Sequence, residues 1–262
     1  MPHPLSTEEV SVSVDDRVAT VEIRRPPHNF FDHALIRQLA DIYEVLAASP
    51  DCRAVVLCSE GKNFCAGADF QSRSQWGTDR LDEQAGQIYI EAVRLFAADI
   101  PVVAAVQGAA IGGGLGLAMS ADFRVTCPEG RFSANFVRLA FHHGFGLTVT
   151  LPRVLGRQKA ELMLMTGRRL RGDEAHAFGL ADVLVPLAEV RAAARDLAAE
   201  IAEGGPLALT EIRRTMRGDL ADAIRAATDH ELAVQSRLRA TEDFGEGVRA
   251  TAERRAPRFQ GR

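Results

Sequence analysis

Apolar residues recur along this chain with two different periods. Every second position is apolar in residues 10–14 and 18–23, which predicts two strands joined at 15–17 as a β-hairpin. Residues 54–58 and 102–106 are nearly continuous apolar runs, as expected for strands that are buried on both faces. Apolar residues at helical spacing predict a helix that is capped by Asp32 and ends near Ala48.

Further helices are predicted at about 81–98 and near 157–166. Another helix is predicted after the second apolar run and its glycine-rich turn, and it extends through Met119. Strands that alternate with helices predict an α/β fold with parallel strands and right-handed crossovers. After Pro186 the chain is almost entirely helix-forming, with helices predicted at 187–203, 207–217, 219–240 and 242–254. This tail has few aromatic residues, so we expect it to pack on the first part of the chain, on a neighbouring subunit, or on both.

Composition narrows the class of protein. The 262 residues, 47% of them hydrophobic and 25% charged, suit one large α/β domain or two small ones. A net charge of −4 argues against nucleic acid as a partner. No apolar run approaches a membrane span. The four cysteines lack CxxC spacing and no secretion signal is visible, which favours reduced thiols in a cytoplasmic protein. The seven histidines show no metal-ligand spacing.

The candidate chemistry lies in two glycine-containing loops, residues 63–69 (NFCAGAD) and 108–116 (GAAIGGGLG). Each loop follows a buried strand and precedes a helix, which is where α/β proteins bind ligands. Free amides at a helix start carry partial positive charge and hold oxyanions well. One amide from each loop could therefore bind a developing enolate oxygen. Alternatively, the glycines only permit tight turns and close helix packing.

Three common glycine motifs are excluded. A dinucleotide-binding GxGxxG would need glycine where Leu117 stands. No GxSxG sequence is present, so a serine hydrolase elbow is unsupported. The Gly61–Lys62 pair lacks the upstream glycine of a phosphate-binding P-loop.

Taken together, the two loops and their flanking segments resemble the crotonase (enoyl-CoA hydratase/isomerase) superfamily. The resemblance covers nearly the whole chain. It rests on RPPHN at 25–29, NFCAGADF at 63–70, AVQGAAIGGGLGLAMSADFRV at 105–125, the block at 151–186 and RRAPRFQG at 254–261.

This resemblance implies a spiral of ββα repeats with a helical C-terminal trimerisation region. It places an acyl-CoA-binding core at 1–195 and a helical oligomerisation region at 196–262, and it implies a homotrimer or a dimer of trimers. The implied ligand is an acyl-CoA thioester, in which coenzyme A is part of the substrate and no separate cofactor is needed.

The resemblance also implies site residues. The amides of Ala68 and Gly113 would form an oxyanion hole. Loop residues would meet the adenine and pantetheine end of the ligand, and the implied substrate-binding set is Ala66, Gly67, Ala68, Asp69, Phe70, Gly112, Gly113 and Phe136. Arg24 and Arg25 are candidates for phosphate contacts, although solvated arginines are the alternative.

The chain departs from this family where hydratases carry two glutamates. Gly116 and Phe136 stand at those positions, and no Asp or Glu occurs in residues 100–121 or 131–160. Neither glycine nor phenylalanine transfers protons. We therefore expect neither hydration by the paired-glutamate route nor isomerisation by the usual single glutamate.

Other residues could take over the proton transfer. His142 and His143 lie in FHHGFG at 141–146, which corresponds to the segment lining the acyl pocket in this family, and imidazole suits proton abstraction near neutral pH. In an extended segment the two would point to opposite sides, and His143 is favoured because it adjoins Gly144. The alternative is a structural pair of histidines.

The remaining candidates have structural interpretations. Asp69 could cap the next helix, and Asp122 is expected to be a turn or buried structural aspartate. Cys65 is expected to be a packed thiol, since no charged partner is evident. Phe132, Phe136, Phe141 and Phe145 could line an apolar acyl pocket or simply form core.

Two functions remain open at this point. One is a CoA-thioester lyase or isomerase that stabilises a thioester enolate and performs isomerisation, decarboxylation, lyase or unusual hydratase chemistry. The other is an acyl-CoA binder or carrier that holds the thioester without catalysis. Product formation from a panel of acyl-CoAs would distinguish them.

Overall fold

The computed structural model describes residues 3–69 and 78–262. The strands are β1 (Val10–Asp15), β2 (Val18–Ile23), β3 (Ala54–Ser59), β4 (Val102–Val106), β5 (Ala109–Ile111), β6 (Phe123–Thr126), β7 (Arg131–Ser133), β8 (Arg169–Arg171) and β9 (Val183–Leu184). Within the described ranges they form a six-stranded sheet in the order β1-β2-β3-β4-β6-β9 and a three-stranded sheet in the order β5-β7-β8. In the larger sheet only the β1–β2 hairpin is antiparallel, so the predicted parallel α/β arrangement is confirmed.

Ten α-helices surround these sheets in the part of the chain that the structure describes. They are α1 (His33–Ala48), α2 (Thr78–Ala97), α3 (Gly113–Ser120), α4 (Leu147–Leu155), α5 (Arg157–Thr166), α6 (Gly172–Phe178), α7 (Val190–Ala202), α8 (Pro206–Arg217), α9 (Leu220–Arg239) and α10 (Glu242–Ala252). Two short 3-10 helices span Asn135–Leu139 and Leu187–Glu189. The predicted helical tail is confirmed, except that its first α-helix begins at Val190, after the second 3-10 turn.

The predicted start of α1 is also confirmed. The Asp32 carboxylate accepts a hydrogen bond of 2.9 Å from the amide of Leu35, which satisfies a helix N–H that would otherwise lack a partner. The apolar positions that predicted this helix form its buried face; they are Leu35, Ile36, Leu39, Ile42, Tyr43 and Leu46.

Strands β3 and β4 are buried along their whole length, because helices cover both faces of the large sheet. On one face α7 packs through Val190, Ala194 and Ala198, which follow one another at four-residue spacing. On the other face lie α1, α2 and α3 with the main core. The small side chains of α7 let this helix lie close against the sheet.

The three-stranded sheet was not predicted. Each of its strands has three residues, too few to establish an alternating pattern. Strand β5 pairs with β7 in parallel, and β7 pairs with β8 in the antiparallel direction. This small sheet carries the second glycine loop into the start of α3.

Helix α8 is attached to the core by a carboxylate that the sequence marked as structural. Asp122 accepts hydrogen bonds from the amide of Val102 at 2.8 Å, from Nε of Arg213 at 3.0 Å and from Nε of Arg217 at 2.9 Å. Arg213 is buried, so its charge depends on this carboxylate. The prediction that Asp122 has a structural role is confirmed.

The last two helices pack on the first part of the chain. Helix α9 lies along α2, and α10 packs against the 3-10 turn at Asn135–Leu139. The predicted division between residues 195 and 196 falls inside α7. The oligomerisation role assigned to residues 196–262 stays a prediction.

Helices that cross a bilayer must be both long and apolar. Among the described residues, no helix combines the length and the apolar character that a membrane crossing requires.

Replacement of Asp122 tests the attachment of α8. We expect Asp122→Ala to destabilise the fold by about 3–5 kcal/mol, because a buried guanidinium loses its counter-ion. Asp99→Ala is the matched control, since Asp99 pairs with the exposed Arg214 at 2.7 Å and should cost less than about 1 kcal/mol. Urea unfolding at one fixed protein concentration measures both. Equal losses would contradict the structural role of Asp122.

Candidate functional site

The two glycine loops lie side by side and are joined by main-chain hydrogen bonds. The amide of Cys65 donates to the carbonyl of Ala109 at 2.8 Å, and the amide of Ile111 donates to the carbonyl of Cys65 at 3.1 Å. These bonds form a parallel bridge between Cys65 and Ala110. As a result, the end of the first loop meets the start of α3.

Glycine is required where the loops touch. A Cβ on Gly114 would lie 2.1 Å from the carbonyl oxygen of Cys65, and one on Gly67 would lie 2.9 Å from that of Ile111. Gly67 also has a φ of +86°, which favours glycine. The interpretation of these glycines as packing residues is thus correct, and the same close packing brings the two loops' amides near each other.

Two buried asparagines fix the first loop. Asn29 donates from Nδ2 to the carbonyls of Asn63 at 2.7 Å and Glu60 at 2.9 Å. Asn63 in turn donates to the carbonyl of Pro27 at 2.9 Å and accepts from the amide of Ala109 at 3.2 Å. Asn63 therefore ties the RPPHN segment to both loops.

The amides of Ala68 and Gly113 are the candidate donors of this site. Within residues 3–69 and 78–262, neither of them donates to a main-chain carbonyl. The neighbouring amide of Gly112 is used, since it donates to the carbonyl of Ser133 at 2.8 Å. Gly113 is the first residue of α3, a helix whose N-terminal amides lack internal partners.

Both amides belong to residues that line a cavity of about 620 Å³. All the predicted substrate-binding residues except Phe70 line it, and Phe70 lies outside the described residues. The lining residues are His28, Phe30, Phe31, Ala66, Gly67, Ala68, Asp69, Leu81, Ala85, Ile88, Tyr89, Ile111, Gly112, Gly113, Asn135, Phe136, Leu139, Phe141, Gly144, Phe145, Gln235, Arg239, Val248, Thr251, Ala252 and Arg254.

Phenylalanine rings form much of this wall. The ring of Phe31 lies against Gly113, because a Cβ added to Gly113 would lie 2.5 Å from that ring. Phe31 also packs on Phe145, with ring centroids 5.5 Å apart. Phe136 and Phe141 also line the cavity, whereas Phe132 is in the core away from it.

The space beside Gly116 is already filled. A Cβ at this position would lie 2.5 Å from Cβ of Phe145 and 2.7 Å from its Cγ. A glutamate side chain cannot enter α3 here unless Phe145 moves. Position 116 is thus a glycine packed against a phenylalanine, and position 136 is a phenylalanine on the cavity wall.

A family model described as enoyl-CoA hydratase/isomerase matches residues 13–262. The chain belongs to the enoyl-CoA hydratase/isomerase family. It is 32% identical over 262 aligned residues to an enoyl-CoA isomerase/hydratase of Zymoseptoria tritici, covering 94% of this chain and 84% of that one. It is 30% identical to the (E)-benzylidenesuccinyl-CoA hydratase of Thauera aromatica, covering 96% of this chain and 99% of that one.

Solved structures agree with this assignment. The enoyl-CoA hydratase/isomerase of Pseudoalteromonas atlantica T6c superposes with a TM-score of 0.86 at 26% identity. The superposition covers 97% of this chain and 100% of that one. The predicted crotonase-type fold is thereby confirmed.

The two histidines that sequence reasoning favoured lie beside the cavity, and neither is among the described residues that line it. Their rings stack on each other with centroids 4.0 Å apart, so the expectation that they point to opposite sides is wrong. Nδ1 of His142 donates to the carbonyl of His143 at 2.7 Å, which turns the His142 ring toward its neighbour. Both rings therefore turn to the same side.

The histidine segment is held by a buried carboxylate on α9. Glu231 accepts hydrogen bonds from the amide of Gly146 at 2.9 Å and from the amide and hydroxyl of Thr148 at 3.1 and 2.6 Å. Nε2 of His143 lies 2.9 Å from the same hydroxyl. Burial raises the pKa of Glu231, while its hydrogen bonds oppose that shift. Glu231 thus fixes the backbone that places Phe145 against Gly116.

Sequence reasoning missed several polar residues on the cavity wall. Tyr89 donates its hydroxyl proton to Oε1 of Gln235 at 2.8 Å, and Gln235 donates to the carbonyls of His142 and His143 at 3.0 and 3.2 Å. Burial raises the pKa of Tyr89, so it is a proton donor at neutral pH. A signal for the polar residues of α9 was present in the sequence, because polar residues recur there at helical spacing. The structure buries these side chains, which are Thr228, Glu231, Gln235 and Arg239.

Other candidates have structural surroundings. Cys65 is fully buried, and burial raises its pKa to about 12, so it is a protonated thiol at neutral pH. Arg25 pairs with Glu9 and with Asp32, the latter at 3.0 Å. Arg24 pairs with Glu22 at 3.0 Å and remains largely exposed. Neither arginine lines the cavity among its described residues.

The titration of His143 tests this environment. Burial, with His142 and His230 nearby, lowers its pKa to about 4. In the unfolded chain this histidine has a pKa of about 6.5, so it binds a proton at a higher pH than in the folded protein. Acidification therefore favours the unfolded state, and stability is lost as the pH falls from about 6.5 to about 4. We expect the ring to titrate near pH 4 by NMR, and His143→Gln to weaken this pH dependence of unfolding. Titration near pH 6.5 would contradict the assigned environment.

Proposed function

We propose that this protein is an acyl-CoA thioester enzyme that holds the thioester carbonyl oxygen between the amides of Ala68 and Gly113. The observation that carries this proposal is a pair of amides at the wall of one cavity, one from each of two hydrogen-bonded loops, that donate to no main-chain carbonyl among the described residues. Membership of the enoyl-CoA hydratase/isomerase family supports a CoA thioester as ligand. The relatives' names also refer to CoA thioesters.

The two amides would stabilise an enolate more strongly than the neutral thioester. Negative charge develops on the carbonyl oxygen when the α-carbon loses a proton or another group, and fixed N–H donors stabilise that charge without reorganising. Gly113 adds the partial positive charge at the N-terminus of α3. The buried, apolar surroundings of α3 reduce screening of this charge.

Isomerisation, decarboxylation, lyase reactions and unusual hydration can all proceed through such an enolate. Paired-glutamate hydration is not among the proposed reactions, since Gly116 faces Phe145 and Phe136 supplies an apolar wall. Direct proton transfer by His142 or His143 is not proposed either, because the described cavity wall excludes both. The Tyr89 hydroxyl is one cavity group with an exchangeable proton.

Assembly into a homotrimer or a dimer of trimers is part of the proposal. Helix α8 exposes Ile212 and Met216, one turn apart, at 62% and 75% of their surface, and Leu207 at 83%. Burial of these side chains against another subunit would be favourable. A cytoplasmic location is also proposed, on the basis of four cysteines that are all buried and unpaired.

Incubation with a panel of acyl-CoAs tests the proposed activity. We expect turnover of at least one thioester and no appreciable hydration of crotonyl-CoA, because both hydratase carboxylates are missing. Mass spectrometry follows each thioester. Crotonyl-CoA hydration at about 10³ s⁻¹ would contradict the prediction. Binding throughout with turnover nowhere would favour the carrier function.

Replacement of Gly113 tests the oxyanion assignment with a matched pair of variants. Both Gly113→Ala and Gly113→Pro place a Cβ against the ring of Phe31, but only proline removes the N–H. Proline is accepted at the first position of a helix, so the backbone of α3 should survive. We expect turnover of the proline variant to fall about 10²–10³-fold below that of the alanine variant. Equal turnover would remove Gly113 from the hole.

A further inference from the structure

One buried cation on the cavity wall has no role in the proposed oxyanion site. Arg239 ends α9 and lines the cavity, yet its side chain is only 5% exposed. The guanidinium carbon lies 5.2 Å from the centre of the Phe141 ring, which also lines the cavity. A buried positive charge therefore lies on the wall of this cavity, which also carries the exposed Arg254.

Its hydrogen-bonding capacity is only partly used. Arg239 pairs through Nη1 with Asp82 of α2, and Asp82 also accepts from the hydroxyl of Ser236. The buried Nε–H has no hydrogen-bond partner among the described residues. A guanidinium has five N–H donors, so pairing with one shared carboxylate does not use all of them. Desolvation lowers the pKa of Arg239 to about 10, which still leaves it charged at neutral pH.

We propose that Arg239 forms an anion subsite in the acyl pocket, and that the acyl group bears a carboxylate. The ligand would then be the monothioester of a dicarboxylic acid with coenzyme A. This inference rests on the proposed function, because it assigns the acyl part of the same ligand. Guanidinium and carboxylate match in shape and charge, and two parallel hydrogen bonds can form between them.

The rest of the pocket agrees with an anionic acyl group. Two glutamates at positions 116 and 136 would repel a substrate carboxylate, and this chain has Gly116 and Phe136 instead. Asp69 is the one carboxylate residue among the described residues of the cavity wall, and it belongs to the first glycine loop. The described cavity wall thus carries a phenylalanine rather than a carboxylate at position 136, and a buried positive charge at Arg239.

A purely structural role for Arg239 makes a different prediction. The Arg239–Asp82 pair joins α9 to α2, and a structural bridge would affect all ligands equally. An anion subsite instead changes the preference for carboxyacyl over alkyl groups. The preference, rather than the absolute affinity, is therefore the informative measurement.

The experiment uses stable ketone analogues, in which a methylene group replaces the thioester sulfur, to avoid hydrolysis. Isothermal titration of the 262-residue chain compares succinyl and glutaryl analogues with branched alkyl analogues of similar shape, in which two methyl groups replace the carboxylate oxygens. We expect wild type to bind at least one carboxyacyl analogue about 10- to 100-fold more tightly than its alkyl counterpart.

Three variants separate the subsite from its surroundings. Arg239→Gln should abolish the preference while leaving alkyl affinity within about threefold, and Arg239→Lys should keep part of it. Arg237→Gln is the matched control, because Arg237 is an exposed arginine on the same helix and its change removes the same charge. Asp82→Asn removes the competing carboxylate, so the preference should rise about threefold or more.

The outcomes are distinct. An unchanged preference in Arg239→Gln, or an equal loss in Arg237→Gln, overturns the subsite. If Arg239→Gln does not fold, Asp82→Asn decides, and an unchanged or lower preference in that variant overturns the proposal. If wild type binds alkyl analogues as well as carboxyacyl ones, the subsite is wrong and the proposed function survives. If wild type binds neither kind of analogue, the subsite and the proposed function are both overturned.

Discussion

The contact between the two glycine loops is the constraint on which the site depends. No side-chain carbon fits where Gly114 meets the Cys65 carbonyl or where Gly67 meets that of Ile111. This close approach lets main-chain hydrogen bonds join a loop of the large sheet to a strand of the small one. A substitution at either glycine would separate the loops, and the geometry of the two amides would be lost with them.

Helix α9 supports the opposite side of the cavity with polar contacts. Glu231 holds the backbone at Gly146 and Thr148, and Gln235 links Tyr89 to the histidine carbonyls. Buried polar groups of this kind specify one arrangement of a segment, since each unmatched group would cost free energy. The cavity is therefore shaped jointly by the glycine loops and by the helical tail.

The sequence predicted the parts of this molecule that depend on periodicity and on short motifs. Strands β3 and β4, helix α1 with its Asp32 cap, the helical tail and the family all follow from such local patterns. The three-residue strands of the small sheet were missed because they are too short to show a period. The histidine pair was misjudged because the hydrogen bond from Nδ1 of His142 to the carbonyl of His143, beside which the two rings stack, cannot be read from spacing. Arg239 and Gln235 meet the site only through tertiary packing of α9 on α2.

The packing of Phe145 against Gly116 also couples these two positions. A Cβ at position 116 would lie 2.5 Å from Cβ of Phe145, so Gly116→Glu alone would overpack this contact, and Phe145→Ala alone would leave a void in the wall. Substitutions of residues in contact are not additive in their effect on stability. Neither position can therefore be redesigned by itself, and a carboxylate at position 116 requires a smaller residue at position 145 in the same variant.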